Sequence, residues 1–197
     1  MGLWEAMRGR RQPRRNDLDA LFHVPSAAIT LQTAAGFVPT GFGAVCYRSA
    51  AGAGFAQAQD DVVALISDDD EAPDVTLARD EFGFTWLVVD GDPEDVAGLC
   101  TDLHAVNTTL ELNGFESSLL CSMVPFADPA GRRVGLVYLY KQGTFYPFSP
   151  AEGRTRDTLV ELSVRDLLAA ELPMERDTQR WLALWDAPGL ASGPERG

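Results

Sequence analysis

The sequence predicts an α+β fold, an antiparallel sheet built from hairpins with helices packed on it and a short N-terminal basic arm. Two pairs of short apolar segments, each joined by a turn sequence, indicate the hairpins. Segments with helical periodicity lie before, between and after these pairs, and alternation of single strands with single helices is weak. We therefore expect a basic amphipathic arm at 1–15, a single α+β domain at 16–186 and a disordered tail at 187–197.

The N-terminal part of the predicted domain contains short helices and one strand. Asn16 or Asp17 can cap a short helix that runs through Phe22. Ser26 can cap a second helix, which Gly36 then ends. Residues 43–48 read as a strand. Apolar residues recur at helical spacing over 54–67, which predicts an amphipathic helix there.

The middle of the chain predicts a hairpin followed by a long helix. VTLARDEFGFTWLVVDG reads as two strands around a turn at 80–83. Both faces of FTWLVV are apolar, which indicates a strand in the interior of the sheet. Asp92 and Pro93 are typical of a helix start, and Asn113 followed by Gly114 is typical of its end.

The C-terminal part predicts a second hairpin and two more helices. LLCSMVPF and VGLVYLY are paired strands around DPAGR, after which QGTFYPFSP leads away from the sheet. From Glu152 the pattern is helical to about Leu172, and after Pro173 it is helical again to about Trp185. We expect DAPGLASGPERG to be a disordered tail.

The arm, MGLWEAMRGRRQPRR, has a charge opposite to that of the rest of the chain. Its five arginines and one glutamate contribute +4, and because the whole chain carries −13, the remainder carries −17. An apolar face with tryptophan beside basic residues is typical of segments on anionic membranes, where each basic residue adds on the order of 1 kcal/mol. The residues predicted to contact a membrane or a partner are Leu3, Trp4, Met7, Arg8, Arg10, Arg11, Arg14 and Arg15.

Other readings of the arm stay open. It is also consistent with a basic arm that binds an acidic protein partner, or with a frayed terminus. The acidic charge of the rest of the chain opposes binding to phosphate backbones, so we expect no nucleic-acid partner.

The composition argues against several functional classes. No apolar run approaches the roughly 18 residues of a membrane span, and the terminus is a poor signal peptide, which favours a cytoplasmic location. Cys46, Cys100 and Cys121 are widely spaced, which indicates reduced thiols rather than a disulfide framework or a zinc site. No phosphate-binding loop, dinucleotide fingerprint or nucleophile elbow is present, so we expect no enzyme and no cofactor.

A few clusters resemble functional sites, but a structural role explains them better. Cys100 and His104 lie one turn apart on the predicted long helix, but spacing supplies no third group to orient the histidine. The acidic runs DDDE at 68–71 and DGDPED at 90–95 lack the ligand pattern of a calcium loop, so a solvated loop and a helix start explain them better.

YLYKQGTFYPFSP, residues 138–150, is the most distinctive stretch. Aromatic residues surround the only lysine of the chain, which is typical of a partner-binding surface; the alternative, which weighs slightly more, is a strand exit that folds back onto the core. The predicted partner-binding residues are Tyr138, Tyr140, Lys141, Phe145, Tyr146 and Phe148. Trp181 and Trp185 pose the same choice between docking on the body and binding a partner.

Four segments carry a resemblance to a known family. They are MGLWEAMRGRRQPRRNDLDALFHVPSAAITLQTAAGFVPTG, DEFGFTWLVVDGDPEDVAGLCTDLHAVNTTLELNGF, LLCSMVPFADPAGRRVGLVYLYKQGTFYPFSP and the ending WLALWDAPGL. Together they resemble the PspA-associated protein PspAB family over nearly the whole chain. The resemblance implies a small accessory protein linked to PspA, a coiled-coil protein that maintains the membrane in phage-shock-type envelope stress responses. It implies no catalytic residue.

The resulting expectation is a non-enzymatic adaptor of an envelope stress response. It would bind PspA or a PspA-associated protein and touch the anionic inner surface of the membrane through its arm, as a peripheral protein. The alternative is a chaperone-like module that binds peptides without membrane contact, which an apolar groove near Tyr140 and Phe145 would favour.

Overall fold

The structure is a computed structural model that describes residues 17–67, 72–185 and 187–190. Its α-helices are α1 (Val24–Ala35), α2 (Ala53–Ile66), α3 (Val96–Leu112) and α4 (Thr158–Leu168). Short 3-10 helices lie at Leu18–His23, Glu116–Ser118 and Thr178–Arg180. No helix in these three ranges is long and apolar enough to cross a membrane.

Seven strands form one antiparallel sheet, in the order β3-β4-β2-β5-β6-β7 with β1 also paired to β5. They are β1 (Val38–Pro39), β2 (Phe42–Arg48), β3 (Asp74–Arg79), β4 (Phe84–Asp90), β5 (Leu119–Ala127), β6 (Arg133–Leu139) and β7 (Thr144–Phe148). A separate small hairpin joins β8 (Pro150–Ala151) to β9 (Thr155–Arg156). The predicted α+β class is confirmed, and β4 lies inside the sheet as expected.

Successive side chains of each strand point to opposite faces of the sheet, and buried apolar residues lie on both faces. On the first face, Val45, Leu87 and Val124 join the core formed with the helices, where α3 contributes Leu103. This core contains most of the buried residues of the described chain. The helices therefore cover only one face of the sheet.

The second face is covered by the C-terminal segment rather than by a helix. Cys46, Trp86 and Met123 point to this side, where they pack with Trp181 and Leu190. We call residues 173–185 and 187–190 the strap, because this mostly irregular segment crosses the second face. The sheet thus separates two cores, one under helices and one under the strap.

Several predicted turns are confirmed by backbone geometry. Gly36 ends α1 with a φ of 73°, a left-handed conformation that glycine adopts without a Cβ clash. The turn between β3 and β4 lies at 80–83, where the Gly83 amide donates to the Asp80 carbonyl over 3.1 Å. Asn113 and Gly114 end α3 as expected.

Two helix starts differ from the prediction. The long helix begins at Val96 and not at Pro93, because Asp95 is its cap and accepts a hydrogen bond from the Gly98 amide at 2.8 Å. Asp92 instead accepts from the Glu94 amide and so stabilises the turn before the helix. Ser26 does not cap α1, which already begins at Val24.

The C-terminal predictions need larger corrections. QGTFYPFSP does not leave the sheet: Thr144–Phe148 is β7, which pairs with β6. The predicted helix from Glu152 begins only at Thr158, because Gly153 and Arg154 form the tight turn of a hairpin with positive φ values. It ends at Leu168.

The second predicted C-terminal helix, from Pro173 to about Trp185, is wrong. After Pro173 the backbone bonds to β7 instead of to itself: the Phe145 amide donates to the Pro173 carbonyl at 2.9 Å, and the Glu175 amide donates to the Phe145 carbonyl at 2.7 Å. A proline that starts the segment and a nearby strand edge that accepts its amides favour this extended path.

The disordered tail was predicted to begin at residue 187, and this is wrong for 187–190. Ala187 and Leu190 are buried in the second core, with Leu190 fully enclosed. Residues 191–197 lie outside the described residues. The polar and charged residues at the end of the chain made the whole segment resemble a disordered tail, although Ala187 and Leu190 before them pack in the second core.

Candidate functional site

A cavity of about 530 Å³ lies on the second face of the sheet, between the strap and the strand surface. Its volume falls in the range of about 300–1,000 Å³ that is usual for ligand sites. Side chains of four neighbouring strands and the β7 ring of Tyr146 line it from the sheet side; the strand residues include Cys46, Trp86, Cys121 and Leu139. The surroundings are therefore largely apolar.

The strap forms the opposite side of the cavity and is held by aromatic contacts. Trp181 stacks on Tyr146 with ring centroids 6.0 Å apart, and Trp185 meets the edge of Phe148 at 5.1 Å. The Tyr146 hydroxyl donates to the Leu182 carbonyl at 3.1 Å. These contacts fix the strap where the sequence predicts a helix.

Polar contacts reinforce the same attachment. The Trp181 indole N–H donates to the Glu175 carbonyl at 3.2 Å, and Arg156 Nη1 donates to the Trp181 carbonyl at 2.6 Å. Arg156 also pairs with Glu161 at 2.9 Å, a carboxylate only 2% exposed. A buried charge pair of this kind is costly to break, so the strap is tied to α4 through Arg156.

The rim of the cavity carries exposed apolar side chains. Phe82, in the β3–β4 turn, is 67% exposed, and Leu182, in the strap, is 59% exposed. The turn is rigid because the Asp80 carboxylate accepts hydrogen bonds from the Phe82 amide and the Trp86 indole, at 3.0 and 3.1 Å. These hydrogen bonds hold the β3–β4 turn, and with it the part of the rim that Phe82 forms, in place.

Two cations also lie at the rim. Arg180 is shared between Glu175 and Asp177, each at 3.5 Å. Lys141 is exposed, and it makes no ion pair with any residue of the described ranges. Lys141 is thus the cation at this rim that is available to a partner carboxylate.

Cys46, on the wall of the cavity, is poorly suited to nucleophilic chemistry. Cys46 and Cys121 are directly opposite each other on β2 and β5. The hydrogen bond with Cys121 and then burial raise the pKa of Cys46 far above its usual range. Both remain free thiols, and Cys100 is also free. A protonated thiol is a weak nucleophile, which argues against thiol catalysis here.

The weighed pair of Cys100 and His104 is not assembled as a catalytic unit. Burial, and then the charge of Asp95, raise the pKa of Cys100 to about 12. His104 instead contacts Asp19 through Nε2 at 3.4 Å and the ring of Phe22 at 4.9 Å. These contacts of His104 connect α3 to the 3-10 helix at Leu18–His23.

The acidic run at 90–95 has the structural role that its sequence suggests, with Asp95 as the cap of α3. The run at 68–71 lies outside the described residues. In the ranges that the structure describes, no three histidine, cysteine or acidic side chains are grouped so that they could hold a metal ion.

The predicted aromatic surface is buried instead of exposed. Its five aromatic side chains are each at most 1% exposed, which is the folded-back alternative that the sequence left open. Tyr138 and Phe145 belong to the first core, and Tyr146 and Phe148 to the second. The members of the predicted set that line the cavity are Tyr146 and Lys141. Their role in partner binding stays a prediction.

The other predicted set, from Leu3 to Arg15, lies outside the described residues. Sequence reasoning missed the cavity itself, together with its rim residues Phe82 and Leu182. The signal was present in part, because the two apolar faces along β4 require cover on both sides of the sheet.

Comparison with known proteins gives a family match along almost the entire chain. Residues 1–189 match the family model PspAB, described as PspA associated protein B. No curated protein and no solved structure matches the chain. The match extends across the sheet, the helices and most of the strap, so the cavity lies within the matched region.

Proposed function

The chain belongs to the PspAB family, PspA associated protein B, and from this membership we propose that it is a non-enzymatic accessory protein of a PspA-type envelope stress response. The observation that carries the proposal is the apolar cavity between sheet and strap, with its exposed and rigid rim. The family name connects the chain to PspA, and the cavity offers a surface through which such an association can occur.

The cavity suits the apolar side chains of a partner helix. It opens on a face of the sheet, where the strands already bond to each other, so a bound segment must satisfy its own backbone N–H and C=O groups. A helix does so internally and presents apolar anchors one turn apart. Phe82 and Leu182 would surround such anchors, and Lys141 would pair with a carboxylate beside them.

The chemistry of the site supports binding rather than catalysis. A hydrogen bond with Cys121 and burial raise the pKa of the Cys46 thiol, so this thiol stays protonated, and the Asp80 carboxylate is engaged by two amides and an indole. No nucleophile with an adjacent base is found among the described residues that line it. An enzymatic role would need groups that these lining residues do not supply.

Membrane contact through the arm is the second part of the proposal. Leu3, Trp4 and Met7 would enter the interface, and the five arginines would face anionic lipid. The charge of −17 on the remainder of the chain opposes a close approach of the body to the same surface. The arm would therefore anchor the protein at the inner face of the membrane, as a peripheral cytoplasmic protein.

The proposal is tested by recovery of PspA from stressed cells on the intact protein and on two variants. Leu182→Asp places a charge at the rim, and because Leu182 is exposed, the fold should tolerate it. Leu112→Asp is the matched control, on a leucine that is 82% exposed and does not line the cavity. We expect recovery of PspA with the intact protein and the control, and its loss with Leu182→Asp. Equal recovery with both variants would contradict the proposal.

A chaperone-like module is the second candidate. Tyr140 and Phe145, near which an apolar groove was expected, are buried in the first core, so the observation that favours this candidate is the open apolar cavity on the second face. Such a module would bind many unfolded segments, whereas an adaptor would select PspA or its associates. Recovery of many unrelated proteins, each lost with Leu182→Asp, would support the chaperone-like function over the adaptor.

A further inference from the structure

We propose that the cavity on the second face binds the chain's own N-terminal arm through Leu3, Trp4 and Met7, in competition with the protein partner. The competition rests on the proposed function, whereas binding of the arm does not. One apolar site would thus have two alternative occupants, one from the same chain and one from PspA.

The arm joins the body at the β6–β7 turn, on the helix side of the sheet and next to residues that line the cavity. The described chain begins at Asp17, whose carbonyl accepts a hydrogen bond from the Tyr138 hydroxyl at 3.0 Å. The Asp17 amide lies 3.7 Å from the position of a Cβ built on Gly143. Lys141 and Gln142, in the same β6–β7 turn as Gly143, line the cavity. The arm is therefore tethered at the turn that forms part of the rim.

The length of the arm allows this contact without strain. Twelve residues separate Trp4 from Asp17. At about 3.3–3.6 Å per residue they span up to about 40 Å, several times the spacing of about 10 Å between layers that pack on a sheet. A short tether also raises the effective concentration of the arm to the millimolar range, so weak contacts are enough to hold it.

The chemistry of the arm fits the cavity better than it fits the rest of the acidic surface. Trp4 and Met7 provide large apolar side chains, and methionine packs favourably against aromatic rings such as Phe82 and Trp185. The arm carries +4 and the remainder of the chain −17, which draws the two together. Glu5, the one acid of the arm, would meet Lys141.

Anionic lipid would release the arm from the cavity. The same three apolar residues cannot lie in the membrane interface and in the cavity at one time. Binding to a membrane would therefore expose the cavity to PspA, and a protein away from the membrane would keep it covered. This places recognition of the partner under the control of membrane contact.

Photo-crosslinking of the full chain tests the proposal. Trp4→p-benzoylphenylalanine introduces the probe at the centre of the apolar face, and mass spectrometry locates the linked residues. We expect crosslinks within one chain to Phe82 and to 182–185, with a yield that does not depend on protein concentration. Leu182→Asp should lower this yield several-fold, and Leu112→Asp should leave it unchanged.

Competitors extend the same experiment. Vesicles with anionic lipid should lower the yield several-fold, while neutral vesicles should not. An added peptide of residues 1–15 should also lower it, and a scrambled peptide of the same composition should not, which separates apolar fit from charge alone. Crosslinks elsewhere on the body, crosslinks only between two chains, or a yield insensitive to Leu182→Asp would overturn the proposal.

The outcome also separates this inference from the proposed function. Purified PspA should lower the crosslinking yield. If crosslinks to the cavity form and PspA neither binds the chain nor lowers them, the proposed function fails and the site for the arm stands. If PspA binds through Leu182 and no crosslinks to the cavity form, the inference fails and the proposed function stands.

Discussion

Replacing Trp181 with alanine tests whether the strap closes the second face of the sheet. Trp181 is 7% exposed, stacks on Tyr146, and donates its indole N–H to the Glu175 carbonyl. Truncation of a buried tryptophan typically costs about 3–5 kcal/mol, which includes the lost packing and the space left behind. We expect a loss of this size in the free energy of unfolding.

The loss is large beside the whole stability of a domain, which is about 5–15 kcal/mol. Urea unfolding followed by far-ultraviolet circular dichroism measures it without using the fluorescence of the removed side chain. For a chain of this size, each 1 kcal/mol shifts the melting temperature by about 2–4 °C, so thermal unfolding gives an independent value.

Two further variants show how the loss arises. Tyr146→Phe removes only the hydrogen bond to the Leu182 carbonyl and should cost about 1 kcal/mol. Leu159→Ala, at a residue 77% exposed, should change stability by less than about 0.5 kcal/mol. A Trp181→Ala variant as stable as Leu159→Ala would refute the docking of the strap and, with it, the cavity.

Three other predictions follow from named contacts. Burial would raise the pKa of Glu175, but hydrogen bonds from the Asp177 amide, from Thr144 and from Arg180 lower this pKa below its usual value. The stability that the Glu175 carboxylate provides is therefore present above the unfolded pKa and is lost as the pH falls through the folded pKa. Glu175→Gln should flatten the acid side of the curve of stability against pH. Leu190→Ala should cost about 2–5 kcal/mol in urea unfolding, because Leu190 is fully buried, whereas a detached tail would give no change. Arg156→Ala should lower the free energy of unfolding by about 3–5 kcal/mol at neutral pH, because it leaves the buried Glu161 charge without its partner. Burial already raises the pKa of Glu161, and loss of Arg156 raises this pKa further. The loss of stability should therefore shrink as the pH falls through the folded pKa of Glu161.

Local signals in the sequence were sufficient for the first hairpin and for several helix ends. Gly36, Gly114 and the turn at 80–83 were predicted correctly because a glycine or a turn residue acts on its immediate neighbours. The interior position of β4 was also predictable, since apolar residues on both sides of a strand require cover on both sides.

The strap was not predictable in the same way, because its partners are remote in sequence. The spacing of Trp181 and Trp185 fits a helix, but their contacts are Tyr146 and Phe148, which lie more than thirty residues earlier. Bonds to the edge of β7 outweigh the local helical preference of the segment. Tertiary contacts of this range leave no periodic signal in the segment itself.

The burial of the aromatic stretch was hard to predict for a related reason. Five aromatic side chains within eleven residues exceed what one strand end usually buries on one side of a sheet. The structure distributes them over two cores, so that Phe145 faces the helices while Tyr146 faces the strap. The two faces of the sheet together bury all five aromatic side chains.

The central claim, that this chain binds PspA through the cavity between sheet and strap, is tested most directly by calorimetry with purified PspA. The full chain and Leu112→Asp should bind with equal affinity, and Leu182→Asp should bind at least about tenfold more weakly, a difference of about 1.4 kcal/mol. Equal affinities for all three proteins, or no binding of PspA to the full chain with anionic vesicles present, would contradict the claim.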